Sequence, residues 1–482
     1  MTSRGDLTRV GPGVYVRSGF DPARTIRSNY ARVAAHLVPG SVITDRSAPT
    51  AGPVEDVLYL ARSEAGRPRE VRLPGLTIRA RHGAGPQSDD IPLPGGIWLA
   101  SPARGLAENC LESRARAGAA PRTLTEAELG DWVDRLCRNE GEPRLAKYRE
   151  RAEELAPTLG IAPERLKRVR DLVGVALGAK QIETGSSALA ERRRGNPVDQ
   201  DRVARFEILV DALRAAAPQS RPAPGSPRDT FEPFTEAYFS NFIEGTEFDF
   251  DEAARIVFDG EIPAARPKDA HDIIGTYRLL ADRVELSHLP EDEQDLVETL
   301  QRRHRRIMEG RPEILPGEFK ELANRAGGTT FVDPTLVRGT LSAGWRLRRN
   351  LDTAWERALY VAFVVAEVHP FNDGNGRVAR AMMAAELEAG NQARIIVPTV
   401  FRDDYLDGLR MLSRQNDPTV FIKAMRYTHD FTASVDYSEY AAMKAQLVEA
   451  NAFEEPGSAN RLKILGRETA TPAPNAPWRD SQ

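Results

Sequence analysis

The sequence predicts an α+β chain. A mixed α/β N-terminal part over residues 1–105 and a helical connector over 106–216 lead through a linker, 217–230, to a mainly α part over 231–455. Three observations predict this. Short β-branched runs between Pro/Gly turns fill the first hundred residues. The hydrophobic period becomes helical from about Ser101 onward. The stretch from Ala217 to Pro227, rich in Pro and Ser, separates the two halves. At about 100–200 residues per domain, 482 residues predict two to four domains.

In order along the chain, Gly13–Val16, Val42–Thr44, Val57–Leu60, Glu70–Leu73 and Leu76–Arg79 read as strands, with turns at Pro39-Gly40 and Pro94-Gly95-Gly96. Arg27 to Leu37 is the one helical segment among them. Pro102–Arg116, Glu126–Arg138, Pro143–Leu155, Pro163–Leu177 and Asp199–Ala216 follow as helices, and Thr123-Leu124-Thr125-Glu126 has the hydroxyl and acid of a helix start. Asp352 to Val368 is apolar nearly all round, the pattern of a buried central helix. Residues 456–482, rich in Pro, Ala, Thr and charges, read as a disordered tail. No internal repeat is present.

Composition narrows the function classes. The chain carries 66 basic and 70 acidic side chains, a net charge of −4, so it is not a nucleic-acid binder throughout. Two cysteines, Cys110 and Cys137, cannot build a disulfide framework or a cysteine-rich zinc site. No run of 18 apolar residues and no apolar leader predict a cytoplasmic protein with no membrane partner. His271, His288, His304 and His429 have no ligand spacing and read as structural or surface. His304, inside Arg302-Arg303-His304-Arg305-Arg306, falls in a charge run that reads as a solvated helix face.

The chemistry concentrates in His369-Pro370-Phe371-Asn372-Asp373-Gly374-Asn375-Gly376-Arg377-Val378-Ala379-Arg380. Pro370 cannot continue a helix and disfavours helical backbone at His369, so a histidine sits at a forced helix end. Gly374 and Gly376 allow a tight turn, and a second helix, Arg377–Ala389, follows. Its N-terminus is a ready phosphate site. Arg377 and Arg380, three apart, can both reach a polyphosphate. Asp373 is a hard oxygen ligand suited to Mg²⁺ bridging phosphates. His369 has the ordinary pKa range of a general base.

This segment resembles the signature of the Fic family, H-P-F-x-[D/E]-G-N-G-R-x-x-R, at every defined position. The resemblance covers about residues 230–430. It implies a mainly α Fic-fold catalytic domain with a β-hairpin flap, and transfer of AMP from Mg²⁺-bound ATP to a hydroxyl side chain of a target protein. It implies that His369 takes the proton of a Ser, Thr or Tyr hydroxyl and that Asp373 binds Mg²⁺. Phe371, Gly374, Asn375, Gly376, Arg377 and Arg380 would contact the nucleotide, with the Asn375 side chain on the α-phosphate, Arg377 on the β-phosphate and Arg380 on the γ-phosphate. Many relatives form homodimers. Two alternatives stay open: removal of AMP from a modified protein, and a regulator or antitoxin module that only binds nucleotide or partner.

Ser240, Glu244 and Gly245 match the family's inhibitory motif, [S/T]-x-x-x-E-[G/N], on a helix expected over 232–245. Ser240 and Glu244 share one helix face. The resemblance implies that Glu244 pairs with Arg380 and takes the γ-phosphate place. Residues Pro316–Val332 resemble the flap, with Gly327, Gly328, Thr329 and Thr330 at its turn, where a target peptide would add by main-chain bonds. Lys320 stands where relatives often have Arg. Ser413 stands where relatives often carry a nucleoside-contacting Asn after Tyr405 and Leu409.

The N-terminal region from Ser41 to Asn109 resembles the antitoxins of type IV toxin–antitoxin systems, the AbiEi-like regulators. Residues 1–120 hold 16 arginines and 11 acids, a net +5 compatible with a nucleic-acid surface. A structural or partner-binding domain fits that stretch equally well.

Overall fold

The computed structural model describes residues 7–64, 69–114, 120–223 and 231–466. The chain divides into two compact units, residues 1–196 and 197–482.

The first unit carries a six-stranded mixed sheet. Its strand order is Arg69–Leu73, Leu76–His82, Val57–Arg62, Val42–Ile43, Ile97–Leu99, Ile91–Leu93. Alternation decides its faces. Leu58, Leu60, Ile78 and Ala80 point to one side and pack with Ile26, Ala34 and Leu37 from the helices Pro22–Ser28 and Tyr30–Leu37. Tyr59, Arg79 and Arg81 alternate onto the other side. The turn at Pro94-Gly95-Gly96 joins two strands of only three residues each, too short for their alternation to be read from the sequence. A separate hairpin pairs Leu7–Gly11 with Val14–Arg17. Behind the sheet, helices from Pro102 to Arg193 build a second core around Leu106, Leu129, Trp132, Val133 and Val173. The Glu126–Glu140 helix opens with a full capping box between Thr125 and Glu128.

The second unit is helical around Ala354–Val368, which is buried on nearly every side as its apolar composition requires. Thr353 and Glu356 cap its start reciprocally. Antiparallel to it runs the helix Asn375–Ala389. The division at residue 196 places the helix Gln200–Ala215 in this unit, although its sequence reads as the end of the connector. Phe206, Leu209 and Leu213 are the reason: all three are fully buried in the larger core. The linker reading meets the same correction. Gln219 is buried against Asp430, and Arg221 and Ala223 bond to Gln392 and Asn391. Residues 224–230 lie outside the described residues. In the expected tail, Leu462 is buried and Lys463 donates to the Ala450 carbonyl. Residues 467–482 also lie outside the described residues.

Candidate active site

The central helix stops where Pro370 requires. His369 takes left-handed backbone, φ 53° and ψ 59°, and its N–H closes the last turn on Val365. Its Nδ1 lies 3.2 Å from the Ala366 carbonyl. A carbonyl only accepts, so Nδ1 carries the proton and Nε2 is left as the base nitrogen. Phe331 stacks on the imidazole at 3.7 Å, nearly parallel. Burial lowers the His369 pKa to about 4, so the ring is neutral at pH 7.

The loop after it is held from below. Gly374 sits at φ 74°, and a Cβ there would press on Met308 Sδ at 2.8 Å. The N–H groups of Asn375, Gly376 and Arg377 then open a helix with no intrahelical carbonyl to meet them. Asp373 accepts from the Gly374 N–H through Oδ1, and its side chain stays 53 % exposed. Above this turn lies the helix Phe231–Ile243. Arg380 donates from Nε to the Ser240 hydroxyl at 2.8 Å and from Nη2 to the Ser240 carbonyl at 2.9 Å and to Glu244 Oε1 at 2.6 Å. Burial works against the Arg380 charge, but Glu244 and Tyr405 outweigh it and raise its pKa. Any Cβ at Gly376 would run into the Glu244 carboxylate, so that carboxylate occupies the cradle itself. Gly245, at φ 89°, turns the chain away immediately afterwards.

Three expected nucleotide contacts are turned inward. Phe371 is fully buried, stacked on His304 at 3.8 Å and edge-on to Phe319. The Asn375 side chain is spent on the Phe371 backbone, accepting from its N–H and donating to its carbonyl. Arg377 points to Asp272 at 2.7 Å and Asn241 at 3.2 Å. These side chains shape the loop; the exposed side chains it presents are Asn372 and Asp373, with Arg380 buried behind them.

His304 is the residue the sequence reading misplaced. It is fully buried, not solvated. Nε2 faces the Asp373 carbonyl at 3.0 Å and Nδ1 accepts the Gly317 N–H at 2.8 Å, which fixes the tautomer. The signal was present: Leu296, Leu300, Arg303, His304, Ile307 and Met308 form one buried helical stripe. His304→Ala strips two buried groups of their partners and removes the stack. It should destabilise the second unit by roughly 2–4 kcal/mol in urea unfolding; a loss below about 1 kcal/mol would show that the loop is anchored elsewhere.

His304, His369 and His429 all have pKa values lowered to about 4 by burial. The unfolded chain binds these protons at its ordinary value of about 6.5. Their contribution to stability is therefore full above pH 6.5 and falls away toward pH 4. Unfolding at pH 5 should take up about two to three more protons than at pH 8, measured calorimetrically in buffers of different ionisation enthalpy.

The flap forms as Arg325–Ala326 paired with Thr329–Thr330 around Gly327, at φ 55°. Arg414 holds the Thr329 hydroxyl, and Arg202 donates to the Thr330 carbonyl. Arg202 and Arg205 also share Glu367, two residues before His369. Lys320 is buried beneath the flap and donates to Asn324, whose amide donates to the Phe371 carbonyl. Ser413 is buried, and its hydroxyl meets no partner among the described residues.

Residues 295–387 match the family model described as Fic/DOC family. Among proteins similar to this chain is the "Protein adenylyltransferase Fic" of Drosophila persimilis, 25 % identical over 251 residues, which are 50 % of this chain and 48 % of that one. The Nematostella vectensis protein of that name is 24 % identical over 52 % of this chain and 59 % of its own. "Protein adenylyltransferase fic-1" of Caenorhabditis elegans is 24 % identical over 60 % of each. The chain thus spans about half to three fifths of the length of these relatives. Among solved structures, Fic-1 from C. elegans aligns over 70 % of this chain and 90 % of its own, at 17 % identity and a TM-score of 0.37.

Proposed function

We propose, for a chain whose residues 295–387 are a Fic/DOC domain, that it is an autoinhibited protein adenylyltransferase. The observation that carries this reading is that a neutral base nitrogen, His369 Nε2, and a helix N-terminus whose first N–H groups have no intrahelical carbonyl lie within one short loop, followed by Arg380. The relatives named protein adenylyltransferase support the same reaction.

In that reaction a target Ser, Thr or Tyr hydroxyl gives its proton to His369 Nε2. Its oxygen bonds to the α-phosphorus of ATP, the α–β bridging bond breaks and pyrophosphate leaves. The helix N-terminus stabilises the charge that develops on the α-phosphate. The flap offers main-chain groups to the target peptide, next to Phe331 and the base.

Asp373 fits Mg²⁺ as one exposed carboxylate. Among the described residues no cluster of three or more His, Cys, Asp or Glu could hold a metal alone, so phosphate and water oxygens would complete the shell, as is common for Mg²⁺. Bound there, the ion would neutralise phosphate charge. No helix among the described residues is long and apolar enough to cross a membrane, and Cys110 and Cys137 are free. A cytoplasmic setting supplies the ATP.

The test is incubation with ATP labelled at the α-phosphate or at the γ-phosphate. Protein should acquire the α-label only, and His369→Ala should abolish it by a factor of at least about 100, the contribution expected of a general base. Transfer of the γ-label would replace adenylylation with phosphorylation, and equal α-labelling by His369→Ala would remove the histidine from its role.

A further inference from the structure

The two units differ in charge far more than the whole chain reveals. Residues 1–196 carry 31 basic and 24 acidic side chains, a net +7; residues 197–482 carry 35 and 46, a net −11. The excess in the first unit converges on one place. A cavity of about 370 Å³ opens at the edge of the sheet, lined by Arg79 and Arg81 from the face opposite the apolar core, by Arg69 from the edge strand, and by Arg114 and Arg122, with Glu70 as the one carboxylate in its wall.

Four of these arginines are held by partners. Arg81 forks onto both oxygens of buried Asp45 at 2.8 and 3.1 Å, and Arg122 reaches Asp45 Oδ1 at 2.6 Å. Asp45 itself sits in left-handed backbone, φ 52°, which turns its carboxylate under the two guanidiniums. Arg79 uses Nε on Glu70 and Arg69 one Nη on the Leu37 carbonyl. Arg81 is engaged at every nitrogen, since Nη2 also donates to Glu108 Oε1 at 3.0 Å and Nη1 to the His82 carbonyl at 3.3 Å, whereas Arg69, Arg79 and Arg122 each keep N–H groups without a partner among the described residues. Arg114 is exposed and meets no carboxylate among the described residues. Braced guanidiniums with spare donors around a concave wall suit phosphate oxygens, which they can hold two at a time.

We infer that this arginine-lined cavity is a phosphate-binding site, and that the ligand it takes is the backbone of a nucleic-acid strand. The size of the net charge favours a strand over a small anion, because +7 distributed over the unit attracts a polyanion at long range as well as at the cavity. The site is separate from the adenylyltransferase reading and does not depend on it.

The experiment uses the full chain and a fluorescein-labelled 12-nucleotide DNA strand, followed by anisotropy at 50 and 200 mM salt. Binding should weaken at least tenfold between the two salts. The double variant Arg79→Gln with Arg114→Ala leaves the Asp45 pairs intact and should weaken binding at least tenfold at 50 mM. A second double variant, Arg149→Ala with Arg193→Ala, removes the same charge outside the cavity and should change it less than twofold. His369→Ala should leave it unchanged. Equal losses in the two double variants, or no binding at 50 mM salt, would overturn the proposal. Unlabelled strand should compete at lower phosphate concentration than sodium triphosphate; the reverse order would assign the cavity to a free polyphosphate and overturn the strand as its ligand.

Discussion

Glu244→Gly should raise transfer of the α-label onto protein by roughly tenfold to a hundredfold, the range of a coupling free energy of 1–3 kcal/mol. The carboxylate lies over Gly376 and ties Arg380 through Oε1. Any phosphate approaching the same helix N-terminus meets a negative charge already there, only 29 % exposed and so weakly screened. Removing it leaves Arg380 held by Ser240 and Tyr405, with no carboxylate against its charge. Glu244→Gln keeps the volume and one acceptor, so it should fall between wild type and Glu244→Gly. A rise below twofold in Glu244→Gly, in a chain whose labelling still needs His369, would mean that this contact does not limit turnover.

Asp272→Ala should cost the second unit roughly 3–5 kcal/mol, because it leaves a buried charge without its partner. Asp272 is fully buried and takes Arg311 Nε and Arg377 Nη1 on one oxygen. Arg377 is itself only 3 % exposed, so it cannot turn to water without opening the loop. Urea unfolding of the single variants and of Asp272→Ala with Arg377→Met gives the test. The double variant should recover much of the loss, since an apolar side chain of similar length needs no partner. Additive losses would mean that the pair is not coupled.

These two residues mark what the sequence made legible. The twelve-residue loop could be read because its logic is local: proline ends one helix, glycines make the turn, and the next helix supplies the N–H groups. Glu244 could be read from a short motif once that loop was found. The orientation of Phe371 and Arg377 could not, because His304, Asp272 and Asn241 come from helices far away in sequence. Periodicity says that a helix has a buried face; it does not say which helix covers it. His304 shows the weakness of reading charge runs as solvent faces. Within Arg302–Arg306, 303 and 304 fall on the apolar stripe and the others do not. In the first unit, short strands such as Val42–Ile43 owe their existence to neighbours on both sides, which composition cannot supply.

The helix Gln200–Ala215 has a practical bearing on how the catalytic half can be isolated. Composition invites a cut within Ala217–Pro227, and a fragment beginning there would look like a clean domain. It would lack Arg202, which joins the flap backbone to Glu367 at the end of the helix bearing the base, and Arg205, which shares Glu367. It would also open the core where Phe206 meets Tyr360 and Phe363 edge-on. A fragment starting at Pro197 keeps that strut. The boundary that matters for expressing this half lies some twenty residues before the proline-rich stretch that advertises one.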